Sequence, residues 1–229
     1  MKQTTPWHRA AEAHRVSQRD ARRAVLVDAA VTAIERNGPD VSVAEIARVA
    51  GVTKPVLYRQ FADKDDLMRA VGVAEGERIL VAIQEELRKP GSPTEAVTRS
   101  VDAFLQVIAE HPRVYLALLR QRPGDEMRLT QQGITDFLHR LIREAFVAAG
   151  IDAAGAEVWT HCIVSMGVAA GELYLSGPRK ARARISAQVT EFIVGGLAGI
   201  TASAGVDLEV VARGVGQAIQ GADRAGVTE

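Results

Sequence analysis

Lys54, Pro55, Tyr58 and Arg59 lie together on one side of a short helical repeat, and Leu57 and Phe61 lie one turn apart on the other. Residues three and four apart share a helix face, so the two sets part into a polar stripe and an apolar one. Lys and Arg neutralise phosphate, Tyr adds a hydroxyl donor on an apolar ring, and Pro supplies a rigid apolar edge. Gln60 can reach a phosphate or a base edge, and Val56 suits either the core or a thymine methyl. Such a face fits a helix seated in the major groove of a duplex. On spacing alone, a pair of surface helices with a solvated outer side remains an alternative.

The stretch VAEIARVAGVTKPVLYRQF, Val43 to Phe61, positions that stripe. Val43, Ile46, Ala47 and Ala50 form an inward row, and small Ala47 lets a second helix cross closely. Gly51 permits the positive φ of a tight turn, Val52 plugs the corner, Thr53 is placed to cap the second helix, and Pro55 sits where a missing N–H costs nothing. Two short helices joined this way form a helix-turn-helix. Ser42 supplies an N-cap for the first, with Glu45 completing a capping box. An earlier helix carries the stripe Ala24, Val27, Ala30, Val31 and Ile34 and stops at Asn37-Gly38-Pro39. Ala62-Asp63-Lys64 with Asp65-Asp66 caps a further helix from about Leu67.

The rest of the chain also reads as helix, because apolar residues recur at three- and four-residue spacing and β-branched alternation is scarce. The expected segments are Leu67 to Lys89, Thr94 to Glu110, Arg113 to Arg120, Gln131 to Ala149, Ala156 to Leu175 and Ala183 to Ser203. Pro90-Gly91-Ser92-Pro93, His111-Pro112, Pro123-Gly124, the glycines 150 and 155, and Ser176-Gly177-Pro178 separate them. The Gly-rich tail from Gly205 is expected to be a short helix with frayed ends.

A chain of 229 residues, 47% apolar and 24% charged, is neither disordered nor fibrous. Its formal net charge is zero, yet residues 1–64 hold 11 Lys and Arg against 7 Asp and Glu, and the remaining 165 hold 17 against 21. That asymmetry separates a basic N-terminal module from an acidic remainder. A single cysteine, Cys162, and an N-terminus without an apolar run point to a reducing, cytoplasmic setting. The longest uncharged run, Phe192 to Val206, is short of a membrane span, so no membrane is expected. No nucleophile elbow, phosphate loop, dinucleotide fingerprint or H-E-x-x-H occurs, and the adjacent pairs Asp65-Asp66 and Glu85-Glu86 diverge on a helix, so no enzyme activity, cofactor or metal is expected.

From about Arg22 through Leu67, SVAEIARVAGVTKPVLYRQFADKDDL and the helix before it resemble the DNA-binding segment of the tetracycline-repressor (TetR) family of bacterial transcriptional regulators, over about a fifth of the chain. The resemblance implies an all-α subunit of nine or ten helices, three forming the DNA-binding domain and the rest a helical bundle for ligand binding and dimerisation. The corresponding division is a basic arm over 1–20, a helix-turn-helix domain over 21–66 and a ligand-binding domain over 67–229. It places Lys54, Pro55, Val56, Tyr58, Arg59 and Gln60 at recognition-helix positions and Ser42, Thr53 and Lys64 at phosphate contacts. The two positions after Tyr58 are often an aromatic residue and His in that family but are Arg59 and Gln60 here, so operator sequence does not transfer. In the basic stretch from Met1 to Arg23, Arg15, Arg19, Arg22 and Arg23 suit phosphates or a minor groove, with a solvated tail carrying Trp7 as the alternative.

Gly167 and Gly171, and Gly195 and Gly199, recur every four positions, which lets helix backbones approach closely. The resemblance implies that the helices at 156–175 and 183–203 build a homodimer interface; packing within one subunit is the alternative. Candidate effector contacts are Phe104, Ile108, Tyr115, Leu118, Leu119, Phe137, Leu141, Trp159, Cys162 and Met166, which favour a small lipophilic effector, with His139 and His161 as polar anchors. The expected function is a ligand-responsive regulator, read as a repressor, on a near-palindromic double-stranded operator. A DNA-architectural or protein-interaction module without effector, and a helical enzyme, are the competing classes.

Overall fold

The computed structural model describes residues 6–120, 126–178 and 181–226, with side chains in those stretches from Gln18 onward except 126–131, 220 and 222–226. The expected break at Pro123-Gly124 and the side chains of Trp7 and Arg15 lie outside the described residues. The described chain is all-helical: α1 (Pro6–Asn37), α2 (Val43–Val49), α3 (Lys54–Tyr58), α4 (Lys64–Arg88), α5 (Pro93–Glu110), α6 (Pro112–Arg120), α7 (Glu126–Ala148), α8 (Ala156–Ser176), α9 (Arg182–Ser203) and α10 (Leu208–Gly226). It divides into two compact units, one of residues up to Ala74 with 113–127, the other of Glu75–Pro112 with the residues from Arg128 on. The first unit therefore extends past the boundary expected at residue 66 and includes α6.

Two boundaries differ from expectation for stated reasons. From Pro6 on, the arm anticipated ahead of the first helix is the beginning of α1, and no Gly or Pro interrupts residues 7–37. The tail is a 19-residue helix, because Val211 and Ile219 are buried and glycine here serves packing: a Cβ at Gly214 would stand 2.9 Å from the Ala145 Cα on α7.

The core of the first unit gathers Leu26, Val27, Ala30, Val31, Ala33 and Ile34 of α1 with Ile46, Ala47, Leu57, Phe61, Leu67, Met68 and Val71. From α6, Val114, Ala117 and Leu118 complete it. Three hydrogen bonds fasten α6 to the end of α1. Arg113 donates to the Glu35 and Arg36 carbonyls at 2.9 and 3.0 Å, satisfying helix-terminal acceptors that lack intrahelical partners, and the Glu35 carboxylate accepts from the Val114 N–H at 2.8 Å.

In the second unit α5 and α8 pack on α9, and two apolar clusters fill the remainder. One joins Ile142, Ala145, Phe146, Ala156 and Val211 with the partly buried Trp159, Leu197 and Ile200; the other joins Phe137, Leu141 and Ile219 with Leu80, Ile83 and Leu87. At the α4–α5 turn, Arg99 donates to the Glu86 and Lys89 carbonyls, and Ser92 with Glu95 forms a complete capping box. Among the described residues, α9 alone is long and apolar enough to cross a membrane by length and composition; its Ser186, Thr190 and Thr201 are buried within the unit.

Candidate nucleic-acid interface

The turn between α2 and α3 is built by backbone hydrogen bonds that close the end of α2. Gly51 N–H donates to the Arg48 carbonyl at 3.2 Å and Val52 N–H to the Ala47 carbonyl at 2.9 Å, with Gly51 at φ +67°. An L side chain there would occupy the left-handed region at a cost of roughly 1–2 kcal/mol. Ile46 and Ala47 face inward at 0% and 2% exposure, which lets α3 lie across α2.

Ser42 caps α2 by accepting the Glu45 N–H at 3.2 Å. The capping box expected with Glu45 is only half made. The Glu45 carboxylate accepts from Arg48 and Asn37 instead of reaching back to the Ser42 backbone, because a guanidinium one turn along offers a charge-assisted bond. The Arg48 hydrogen bonds hold the Glu45 carboxyl below its usual range. Thr53 occupies the N-cap position of α3, but its hydroxyl makes no cap bond and is left exposed.

α3 divides its residues sharply. Leu57 and Phe61 are 0% and 1% exposed, whereas Lys54, Pro55, Val56, Tyr58 and Arg59 are all exposed. With Ser42 and Thr53 this makes seven of the nine sequence-selected contact residues exposed; Lys64, at the start of α4, is half-buried. Gln60 is half-buried as well, and its carboxamide oxygen is buried without a hydrogen-bond partner, so this side chain does not share the open presentation of its neighbours.

Basic residues of α1 differ in the same way. Arg19 and Arg22 are exposed, but Arg23, expected to track phosphates, is turned inward onto Gln60 and Asp66. A guanidinium with two such partners is not free for an external anion.

The candidate effector contacts do not form one group. Tyr115, Leu118 and Leu119 belong to α6 and hence to the first unit, where Leu118 is core. Periodicity marked α6 as amphipathic without indicating whose core it serves. In the second unit, Ile108 is buried, Phe104 and Met166 are half-buried, and Phe137 and Leu141 sit in one cluster. Trp159 packs against α9: a Cβ at Gly196 would fall 2.7 Å from its ring, so glycine is what admits the indole. Cys162 is exposed on α8, where it lines an open concavity of about 450 Å3 with Glu157, Val158, His161 and Ser165. Among the described residues no cluster of His, Cys, Asp or Glu is arranged to hold a metal.

α8 and α9 also carry an uncovered apolar side. Val158 and Leu173 on α8 and Phe192 on α9 are 65%, 61% and 74% exposed. On α9, Gly195 and Gly199 are exposed, with nothing within 4 Å of an added Cβ, so that pair is not used for packing inside the chain, whereas on α8 Gly171 is buried within the unit.

Residues 26–71 match the bacterial regulatory proteins of the tetR family, and residues 82–208 match the tetracyclin repressor-like C-terminal domain. An uncharacterized HTH-type transcriptional regulator of Mycobacterium tuberculosis is 28% identical over 203 residues, 87% of this chain and 83% of the relative. A tetR-family transcriptional regulator from Streptomyces coelicolor has the same fold, with a TM-score of 0.64 at 22% identity over 86% of this chain and 88% of that one. The transcriptional regulator FadR from Bacillus subtilis, solved in complex with stearoyl-CoA, gives 0.63 at 19% identity over 76% and 98%. A helical chain whose N-terminal helix-turn-helix presents a basic and aromatic face, with these relatives, is a DNA-binding transcriptional regulator. It belongs to the tetracycline-repressor family.

Proposed function

We propose that this regulator is a cytoplasmic repressor that binds a near-palindromic operator as a homodimer and is released by a small lipophilic effector. The observation that carries the DNA-contact assignment is the division of α3, where Leu57 and Phe61 are buried and Lys54, Pro55, Val56, Tyr58 and Arg59 are exposed together. Lys54 and Arg59 serve phosphates and a base edge, Tyr58 a hydroxyl donor, and Val56, 38% exposed, a thymine methyl. Ser42, Thr53 and Lys64 flank α3 as phosphate contacts, and Gln60 joins the set only through its amide NH2, its carboxamide oxygen being buried.

A five-residue helix contacts few bases, so useful specificity requires two copies. The uncovered side of α8 and α9, with Phe192, Leu173 and the open glycines, supports pairing through 156–175 and 183–203. The apolar residues of the second unit support a lipophilic effector, and the acyl thioester in the Bacillus subtilis relative makes fatty acids and their thioesters the first ligands to test. Bound effector lowers operator affinity by favouring a dimer whose two α3 helices stand at another separation. By reciprocity DNA weakens effector binding by the same factor, typically about 5- to 150-fold.

The test is selection of duplexes from a randomised pool by the full chain, followed by footprinting and light scattering. A near-palindrome with half-sites about 34 Å or more apart, bound by dimer, is expected. A single asymmetric half-site bound by monomer refutes the reading.

A further inference from the structure

Arg23 makes contacts that the face on α3 does not account for. It leaves α1 and reaches the chain just beyond α3, where Nη1 donates to the Gln60 carbonyl at 2.6 Å and Nη2 donates to Asp66 Oδ1 at 3.1 Å. Its guanidinium carbon lies 4.1 Å from the centroid of the Phe61 ring, a stacked cation–π arrangement. Asp66 is held in turn: Oδ2 accepts the Ala62 N–H at 3.0 Å, and the Asp66 N–H donates to Asp63 Oδ1 at 2.6 Å, capping α4. The Ala62 backbone bond and the Arg23 contact keep the Asp66 carboxyl ionised below its ordinary range. One guanidinium thus ties the exit of α3, the ring that anchors that exit and the first turn of α4.

α3 cannot set its own orientation. Five residues give too few intrahelical bonds for independent stability, and Arg59 is already its C-cap. The carbonyl that Arg23 holds belongs to the next residue, so the Arg59 Cα is fixed within one peptide unit of the bond. A side chain that reads a base edge must be held to about 0.5 Å, by neighbours that are themselves held.

We propose that Arg23 is a positioning residue for base recognition: without touching DNA, it fixes the exit of α3 and so aims Arg59 and Tyr58 at the groove. This rests on the DNA-binding assignment of α3 above. Removing the guanidinium takes one cover from the Phe61 ring but leaves Leu57 and the other apolar core residues of the unit in place, frees the Gln60 carbonyl and leaves Asp66 with the Ala62 N–H and a longer contact to Arg69 at 3.8 Å. Lysine restores the charge but offers no planar fork to bridge two acceptors while stacking on a ring.

The experiment uses the full chain and a duplex that the unaltered protein enriches from a randomised pool. Affinities for that duplex and for a scrambled one are measured across a salt series for Arg23→Gln, Arg23→Lys and Asp66→Asn, at a temperature well below each melting midpoint. Arg23→Gln is expected to weaken the enriched duplex at least tenfold and the scrambled duplex less than twofold, with the salt slope unchanged. Arg23→Lys and Asp66→Asn should each lose part of the same discrimination, and either serves if Arg23→Gln does not fold. A fall in salt slope of about 1 with equal losses on both duplexes makes Arg23 a phosphate contact and overturns the inference. A lowered melting midpoint with an unchanged ratio of the two affinities makes its role structural only and also overturns it. Failure to enrich any duplex overturns the DNA-contact assignment itself, and this inference with it.

Discussion

Phe192→Asp tests the proposed dimer face where it is most exposed. Phe192 lies on α9 at 74% exposure, beside the open positions Gly195 and Gly199. A phenylalanine offers about 150–250 Å2 to burial, so the exposed part is roughly 110–185 Å2 per subunit. At about 25 cal/mol per Å2 this is worth ~3–5 kcal/mol, and a two-fold axis counts the ring twice, giving an upper bound of ~6–9 kcal/mol. Incomplete burial of the ring across the axis and its side-chain ordering consume much of such a sum, so roughly half, ~3–4 kcal/mol, is the expected effect on association. That corresponds to a dimer weakened roughly 100- to 1,000-fold. Sedimentation equilibrium over nanomolar to micromolar concentrations reads the constant directly, and circular dichroism confirms that the helices remain. If the variant dimerises within threefold of the parent while folded, this side of α9 is not the interface and pairing must be sought elsewhere on the chain.

Lys64→Ala should weaken binding to all duplexes alike and lower the salt slope by about 1, as loss of one phosphate contact requires; an unchanged slope in filter binding removes Lys64 from the contact set. Arg59→Ala should instead relax base preference at one position by about 1–3 kcal/mol, and equal losses on operator and random DNA would reduce it to another phosphate contact. Leu57→Ala, at a fully buried site, should destabilise the first unit by about 2–5 kcal/mol in urea denaturation, and a change under 1 kcal/mol would contradict its place in the core. Asp66 has a lowered folded pKa, so its stabilising contribution is complete above the ordinary carboxylate range and is lost as pH falls through the lower folded value. Asp66→Asn should therefore flatten the fall in melting midpoint below about pH 4 while lowering it at pH 7; parallel curves would refute that role.

The helix-turn-helix was legible because its determinants are local. Gly51 sits at φ +67°, and the spacing of Leu57 and Phe61 alone separates core from contact face. Contacts between distant residues left no such trace. Arg23 read as one more basic residue in an arm, since its partners are 37 and 43 positions away and no periodicity announces them. The unit that α6 serves is hidden from the sequence for the same reason: an amphipathic stripe shows that α6 buries a face but not against what, and Leu118 is core of the first unit. The glycines of the tail lower its helix propensity, yet the lack of a side chain at Gly214 is what seats α10 on Ala145. Glu45 had the spacing of a capping box, and the nearer guanidinium of Arg48 took its carboxylate.

Chain connectivity limits how the proposed effector can reach α3. The chain passes between the two units after Ala74 within α4 and after Pro112 at the start of α6, and returns beyond residue 127. On the second-unit side, the first two passages are bound to each other. His111 Nδ1 lies 2.7 Å from Arg78 Nη1 and 3.0 Å from Glu75 Oε1, Arg78 reaches both Glu75 oxygens at 3.2 Å, and its other nitrogen pairs with Glu110. Glu75 is only 7% exposed, so its charge depends on these partners for compensation. In the first unit both passages feed the same core, with Met68 and Val71 from α4 and Val114, Ala117 and Leu118 from α6. An effector that shifts α4 alone must therefore break the polar cluster or strain that core, whereas one that moves α4 and the end of α5 together leaves the polar cluster intact. In the proposed switch, therefore, the start of the second-unit part of α4 and the end of α5 move as a pair.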